Sequence, residues 1–290
     1  MTKSGFVTIA GRPNAGKSTL LNAIFQEKRA IVTPKPQTTN VNVQGVYNDE
    51  RGQIVFVDTP GLHKPKSHYG AHLNKQAYQS IRGSDVTLLV IDASVPFGPG
   101  DQYLKERLKI DNEMIIVLTK IDLARPYEVD ALKGKYAELY PDVSLIEVSS
   151  VRNFNIDALL DEIFRLLPEG PLFYPDPKSH EVDKEKYISE VVREKIMNLT
   201  EQEVPYSIAV VTDHLEVTNK IVAYVSIICE RDSQKGILIG KKGKMIKRIR
   251  LQSQYDLSHF FKMPAEMEIK VKVNKNWRSD PKIIEKLIRQ

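Results

Sequence analysis

Two glycines, a lysine and a hydroxyl at fixed spacing carry the first chemistry in this chain. Gly11-Arg12-Pro13-Asn14-Ala15-Gly16-Lys17-Ser18 fits G-x-x-x-x-G-K-[ST], the phosphate-binding P-loop. A glycine-rich turn lets successive backbone N–H groups face inward as an anion nest. A helix starting there adds its positive end. Lys17 is then placed to neutralise the β- and γ-phosphates, and the Ser18 hydroxyl to ligate Mg²⁺. The motif needs a strand before it and a helix after it. Phe6-Val7-Thr8-Ile9 is a short apolar run, and Thr19 to Phe25 is helix-forming.

Further candidates stand at the ends of later apolar runs. Asp58-Thr59-Pro60-Gly61-Leu62 closes one run: the aspartate suits a water-mediated Mg²⁺ contact, and Gly61 can set an N–H against a γ-phosphate. Thr119-Lys120-Ile121-Asp122 closes another and is a T-K-x-D version of the guanine-reading N-K-x-D. An aspartate there accepts guanine N1–H and N2–H₂, which adenine lacks, while the Lys120 stem lies over the base. Ser149-Ser150-Val151 ends a third run, where a loop can reach guanine O6. Between the first two runs, Thr33 to Asn40 is a polar, proline-bearing loop. In it Thr39, with Thr38 as the alternative, can reach Mg²⁺ when a γ-phosphate is present. The catalytic set read from this pattern is Lys17, Thr39, Asp58 and Gly61.

Positioning these groups requires a sheet. Apolar runs at 41–48, 53–59, 86–92, 113–119 and 143–149 follow the first, with helical stretches near 73–82, 101–109, 128–139 and 155–167. The alternation predicts an α/β domain with a mostly parallel sheet and helices on both faces, its ligand at the C-terminal strand ends. His68 and His72 could share a helix face, but with no third ligand nearby they read as loop residues holding no metal.

A proline-rich stretch from 168 to 183 marks a boundary. The expected organisation is a nucleotide domain at 1–170, a linker at 171–184 and a second domain at 185–290. Residues 1–170 carry 20 basic and 20 acidic side chains, and 171–290 carry 22 and 17, so the whole excess of +5 lies in the second domain. Its order, helix, strand, strand, helix, helix, strand, suits a type II KH module, an α+β fold. There Gly240-Lys241-Lys242-Gly243 joins two short helices and lets a single RNA strand approach. Seven basic residues and no acidic one fall within 235–250. Gly236, Ile239, Gly240, Lys241, Lys242, Gly243, Lys244, Lys247 and Arg248 are the RNA-binding candidates. Trp277 could stack a base, but a lone Trp near a domain end is more often a packing anchor.

Composition limits the rest. At 41% hydrophobic and 27% charged, each domain can bury a core. No apolar run reaches the ~18 residues of a membrane span. The first residues lack a signal-peptide pattern, and Cys229 sits in an apolar run as a buried strand residue rather than a nucleophile. A cytoplasmic home is expected.

The motifs G-R-P-N-A-G-K-S, P-Q-T-T, D-T-P-G-L and T-K-I-D resemble the Era family of GTPases. So do Glu203-Val204-Pro205-Tyr206, Glu230-Arg231 and the run from Gln234 to Gly243. The resemblance covers about 5–280. It implies GTP and GDP as ligands with Mg²⁺, and binding to the 3′ end of 16S rRNA during maturation of the 30S subunit. It also implies weak peripheral association with the inner membrane; a monomer is expected. Asn14 resembles a P-loop asparagine that ligates a monovalent cation in related GTPases, making K⁺ a candidate cofactor. The sequence departs from the family pattern at Thr119, at Asn40 and at 251–254. Leu62 stands where Ras-like enzymes carry a water-orienting Gln, so slow intrinsic hydrolysis is expected. Two other readings fit parts of the pattern. One is a constitutive RNA-binding module with a structural nucleotide domain. The other is a tRNA-modification GTPase, for which a reactive C-terminal cysteine would be expected.

Overall fold

In a computed structural model of the chain, described at residues 2–27, 30, 43–65, 68–108, 110–174, 183–201, 203–280, 283–285 and 287, the chain forms two compact units.

The first unit is built on a six-stranded sheet. Its strands are β1 (Lys3–Gly11), β2 (Val43–Asp49), β3 (Gly52–Asp58), β4 (Val86–Asp92), β5 (Glu113–Thr119) and β6 (Ser144–Glu147), in the order β2-β3-β1-β4-β5-β6. Only the β2–β3 pair is antiparallel. Every residue of β3 is buried, as expected of a sheet covered on both faces. The helices are α1 (Lys17–Phe25), α2 (His68–Arg82), α3 (Pro99–Arg107), α4 (Pro126–Leu139) and α5 (Ile156–Leu166). α5 buries Ile156, Leu159, Leu160, Ile163 and Phe164, one apolar stripe at helical spacing. Pro99 and Pro126 open their helices, where proline's fixed φ suits the first turn and no N–H is needed.

One sequence expectation needs correction. α2 begins at His68, five residues before the predicted start, so His68 and His72 lie on a helix and not in a loop. Gly70 and two histidines mask the start, because weak local propensity is overridden by packing of the later turns. Burial, then Lys75, hold the His72 imidazole below its usual range. Among the described residues no cluster of three metal-ligating side chains occurs.

The second unit has α6 (Lys184–Leu199), β7 (Ile208–Val217), β8 (Ile221–Cys229), α7 (Asp232–Ile239), α8 (Lys244–Phe261) and β9 (Ala265–Val273). The sheet order is β7-β8-β9, with β7–β8 antiparallel and β8–β9 parallel. Asp183 caps α6, its Oδ1 accepting from the backbone N–H of Glu185 and Lys186. Trp277 is buried, and its Nε1–H donates to the Ser207 carbonyl at 3.2 Å. It anchors the fold and offers no stacking face. Cys229 is buried and its thiol pKa is pushed up, chiefly by desolvation. Among the described residues no helix is long and apolar enough to cross a membrane.

Candidate nucleotide and RNA sites

The P-loop leaves β1 at Gly11 and enters α1 at Lys17. Gly16 has φ 90° and Asn14 φ 63°, turning the loop through the left-handed region. A side chain on Gly11 would place Cβ 2.3 Å from the Val90 carbonyl oxygen, so only glycine fits. Lys17 is buried, and its ammonium donates to the carbonyls of Arg12 at 2.9 Å and Gly11 at 3.4 Å. Desolvation pushes its pKa down to about 8, Asp58 opposing that shift and Lys120 adding to it. Ser18 Oγ donates to Asp58 Oδ2 at 2.7 Å. A hydroxyl on a helix N-terminus beside a buried strand-end carboxylate is a hard-oxygen pair suited to Mg²⁺. The residues present therefore fit that ion.

Asp58, Thr59 and Pro60 are buried, and the Thr59 hydroxyl donates to the Ile9 carbonyl at 2.9 Å. A Cβ on Gly61 would stand 2.7 Å from Pro13 Cα, so the D-T-P-G segment lies directly against the P-loop. Leu62 does not fit a nucleotide contact: its N–H donates to the Gly11 carbonyl at 3.0 Å and its side chain lies in the core with Ala10, Leu89 and Ile91. Thr38 and Thr39 lie outside the described residues.

At the end of β5, the single hydroxyl of Thr119 lies 2.6 Å from the Ala15 carbonyl and 3.0 Å from that of Ile91. The threonine thus makes a loop-to-loop tie. Lys120, at φ 59°, donates to the Asn14 carbonyl at 2.6 Å and pairs with Asp92 at 2.6 Å. Asp122 Oδ1 accepts from Ser149 Oγ at 2.6 Å, and Ser149 Oγ accepts the Arg152 N–H at 3.3 Å. Ile121 and Ser150 are half-buried, as is Thr19 on α1, whereas Val151 is exposed. All the described P-loop, D-T-P-G, T-K-x-D and Ser149 groups lie at the C-terminal ends of the parallel strands.

Two participants were missed by motif matching. Asp92 ends β4 and is held by Lys120 and Ser94; the rule that strand ends carry function pointed to it. Asp101 on α3 accepts from Arg12 Nη1 at 2.7 Å and from the Gly98 N–H at 2.9 Å, and Tyr136 Oη lies 3.2 Å away. Nothing local in the sequence signals that link.

In the second unit, Gly240 has φ 72° and ψ 170°, and a Cβ there would lie 2.6 Å from Met245 Cβ. Gly243 has φ 72° and opens α8, with open space where a Cβ would stand. Lys241, Lys242, Lys244, Lys247 and Arg248 are exposed, and none forms an ion pair with a described residue. On the other side of the unit, Lys220, Lys270 and Lys272 pair with Glu266, Glu268 and Asp213. Gly236 is exposed, and Ile239 is half-buried beside the loop.

A family model described as a 50S ribosome-binding GTPase matches residues 6–120, and one described as a KH domain matches 203–278. GTPase Era of Clostridium kluyveri is 39% identical over 290 residues, covering 99% of both chains. GTPase Era of Thermoanaerobacter sp. (strain X514) is 39% identical, covering 98% of this chain and 96% of its own. Two solved structures align at 34% identity over 99% of both chains. A variant of Aquifex aeolicus Era bound to GDP and AlF₄⁻ gives a TM-score of 0.92. Era in complex with MgGDPNP and nucleotides 1506–1542 of 16S ribosomal RNA gives 0.93.

Proposed function

The chain belongs to the Era family of GTPases with a C-terminal KH domain, and we propose that it is a nucleotide-controlled RNA switch in maturation of the 30S ribosomal subunit. It binds guanine nucleotide and Mg²⁺, hydrolyses GTP and binds RNA. The RNA in this reading is the 3′ end of 16S rRNA. The observation that carries it is the end-to-end match to Era, including its complex with that RNA segment.

The site residues take roles within this reading. The Gly11–Ser18 backbone and Lys17 cradle the phosphates, and Thr119 and Lys120 hold that loop to the base-reading edge. Asp122, oriented by Ser149, accepts from guanine N1–H and N2–H₂. Ser18 and, through water, Asp58 hold Mg²⁺, with Thr39 completing the set. The ion neutralises charge developing on the phosphate oxygens. Gly61 reports the γ-phosphate, while Leu62, turned into the core, orients no water. Turnover is accordingly slow until a partner supplies what is missing. Asn14 adds K⁺ to the proposal; equal single-turnover rates in Na⁺ and K⁺ would remove it. A cytoplasmic monomer with weak peripheral contact at the inner membrane completes the reading.

The G-K-K-G loop and its basic surround grip the RNA backbone. Nucleotide and RNA affinities are then reciprocally coupled. The decisive experiment crosslinks the protein to total cellular RNA and sequences what is bound. A peak at the 3′ end of 16S rRNA is expected, and a spread over mRNA would overturn the assembly role. RNA affinity that is equal with GDP and with a non-hydrolysable GTP analogue would overturn the coupling.

A further inference from the structure

A cavity of about 570 Å³ lies between α2 and α3, away from the P-loop, and it is lined by Lys75, Arg82 and Arg107 with Tyr78, Tyr103 and Asn74. Among the described residues no carboxylate lines it. Elsewhere in this charge-balanced unit cations are commonly paired: Arg12 with Asp101, Lys120 with Asp92, Lys133 with Glu147, Arg165 with Glu162. Among the described residues Lys75, Arg82 and Arg107 form no ion pair. The three side chains are exposed and set charge of one sign around one concavity, a local positive field that attracts an anion. Tyr78 and Tyr103, sharing a side-chain hydrogen bond, add two aromatic rings. The volume falls within the range of small-molecule sites, roughly 300–1,000 Å³.

We propose that this cavity is a second ligand site, taking a small organic phosphate that carries a flat ring. Arg82 and Arg107 offer planar forks suited to phosphate oxygens, with Lys75 as a point charge. The tyrosines pack against the ring. The site goes beyond the GTPase reading and operates with guanine nucleotide already bound. It also has a path to that nucleotide. Asn74, on the cavity wall, donates from Nδ2 to the His63 carbonyl at 2.7 Å, and His63 Nδ1–H donates to the Gly61 carbonyl at 2.9 Å. Gly61 lies against Pro13 of the P-loop. An occupant that shifts Asn74 therefore biases the segment facing the γ-phosphate.

The test uses the full chain, isotope-labelled and saturated with Mg²⁺-GDP, titrated with uridine 5′-monophosphate, ribose 5-phosphate, uridine or inorganic phosphate. Uridine monophosphate is expected to move the amide resonances of 71–82 and 103–107, and with them those of Gly61 and His63. Ribose 5-phosphate and uridine should each bind about tenfold more weakly or worse, since each lacks half of the recognition. The Arg82→Ala, Arg107→Ala double variant should lose at least about tenfold in affinity for uridine monophosphate with GDP affinity unchanged. Equal binding of ribose 5-phosphate, unaltered affinity in the double variant, or silence at millimolar ligand would overturn the site. Binding only by a short single-stranded RNA would overturn the small-molecule assignment. Motionless Gly61 and His63 amides would overturn the path. GDP binding in the same samples reports on the nucleotide reading separately.

Discussion

Two glycine loops in this molecule, each proposed to meet phosphate, are built in opposite ways. In the P-loop the cation is inside. Lys17 is buried on carbonyls of its own loop, and that loop is tied by Thr119 at Ala15, Lys120 at Asn14, Asp101 at Arg12 and the Leu62 N–H at Gly11. In the G-K-K-G loop the cations are outside. Lys241 and Lys242 are exposed, and Gly243 N–H to the Gly240 carbonyl, at 3.0 Å, closes the turn. The first arrangement would pre-organise donors around a small ligand of fixed shape, as the proposed triphosphate is. The second would let long side chains follow an extended backbone whose phosphates differ in position, as the proposed RNA strand does. Burial makes the first loop costly to fold and precise, whereas exposure makes the second inexpensive and salt-sensitive.

The strongest way to break this contrast is Lys17→Met. Nucleotide binding should be lost and GTP hydrolysis should fall by about 10³-fold or more. The thermal midpoint of the nucleotide-free protein should nevertheless change little, because an ammonium held away from water is removed while the buried Asp58 carboxylate loses its nearby cation. A much lower midpoint in a melting scan would mean that the carbonyl bonds of Lys17 and its attraction to Asp58 outweigh its desolvation, and the loop would not be under functional strain.

The pH response sharpens the same point. Free Lys17 has its pKa pushed down to about 8, and bound phosphates favour the charged form. Nucleotide affinity should therefore fall as pH rises through about 8, by up to about tenfold per unit. The effect on stability has the opposite sign. The unfolded chain keeps a lysine near 10.5, so between about 8 and 10.5 it binds more protons than the folded one. The nucleotide-free fold should gain stability with rising pH across that window, and Lys17→Met should remove the gain. Calorimetric titrations of GDP at pH 7 and 9 check the first statement, and melting curves of both proteins the second.

The two loops also differ in how far the sequence discloses them. Glycine spacing and the strand-end rule pointed to Lys17, Ser18, Asp58 and Asp122 as candidates, because phosphate and guanine chemistry dictate residue types over a few positions, and the fold places them at neighbouring strand ends. The strands at 86–92 and 113–119 were legible to the residue, being continuous apolar runs. Most of what stayed hidden depends on non-local packing. Asp101 meets Arg12 from 89 residues away. Leu62 looked like a nucleotide residue by its place in the motif, and only the core shows that its side chain is turned inward. The start of α2 at His68 is disguised by Gly70, whose weak helix propensity hides the first turn. In the second unit, glycine spacing and charge marked the candidate RNA loop. The structure adds that its two glycines have different reasons to be there.

That difference yields a smaller effect. Gly240→Ala would drive Cβ to 2.6 Å from Met245 Cβ and 2.9 Å from its backbone N, so α8 must move. Gly243→Ala meets open space and bears only left-handed strain, about 1–2 kcal/mol. Gly240→Ala should therefore lower RNA affinity and stability more than Gly243→Ala does, with GTP affinity unchanged in both. Equal losses in melting and RNA-binding assays would mean that backbone φ, and not the Met245 contact, fixes the loop.

The smallest expected change is the most specific to an exposed loop. Lys242 has φ 54°, is exposed, and pairs with no described carboxylate. Its charge is worth little to the fold, since removing an unpaired surface cation usually changes stability by less than about 0.5 kcal/mol. On RNA it releases counterions. Lys242→Gln should reduce the slope of log affinity against log salt by about 0.7, the single-strand value for one phosphate contact, and should do so alike for every RNA sequence. Measuring RNA affinity at four salt concentrations for two unrelated strands decides it. An unchanged slope would take Lys242 off the RNA backbone. A loss confined to one strand would make it a reader of bases, and the distinction between a loop that fits one ligand and a loop that follows many would narrow.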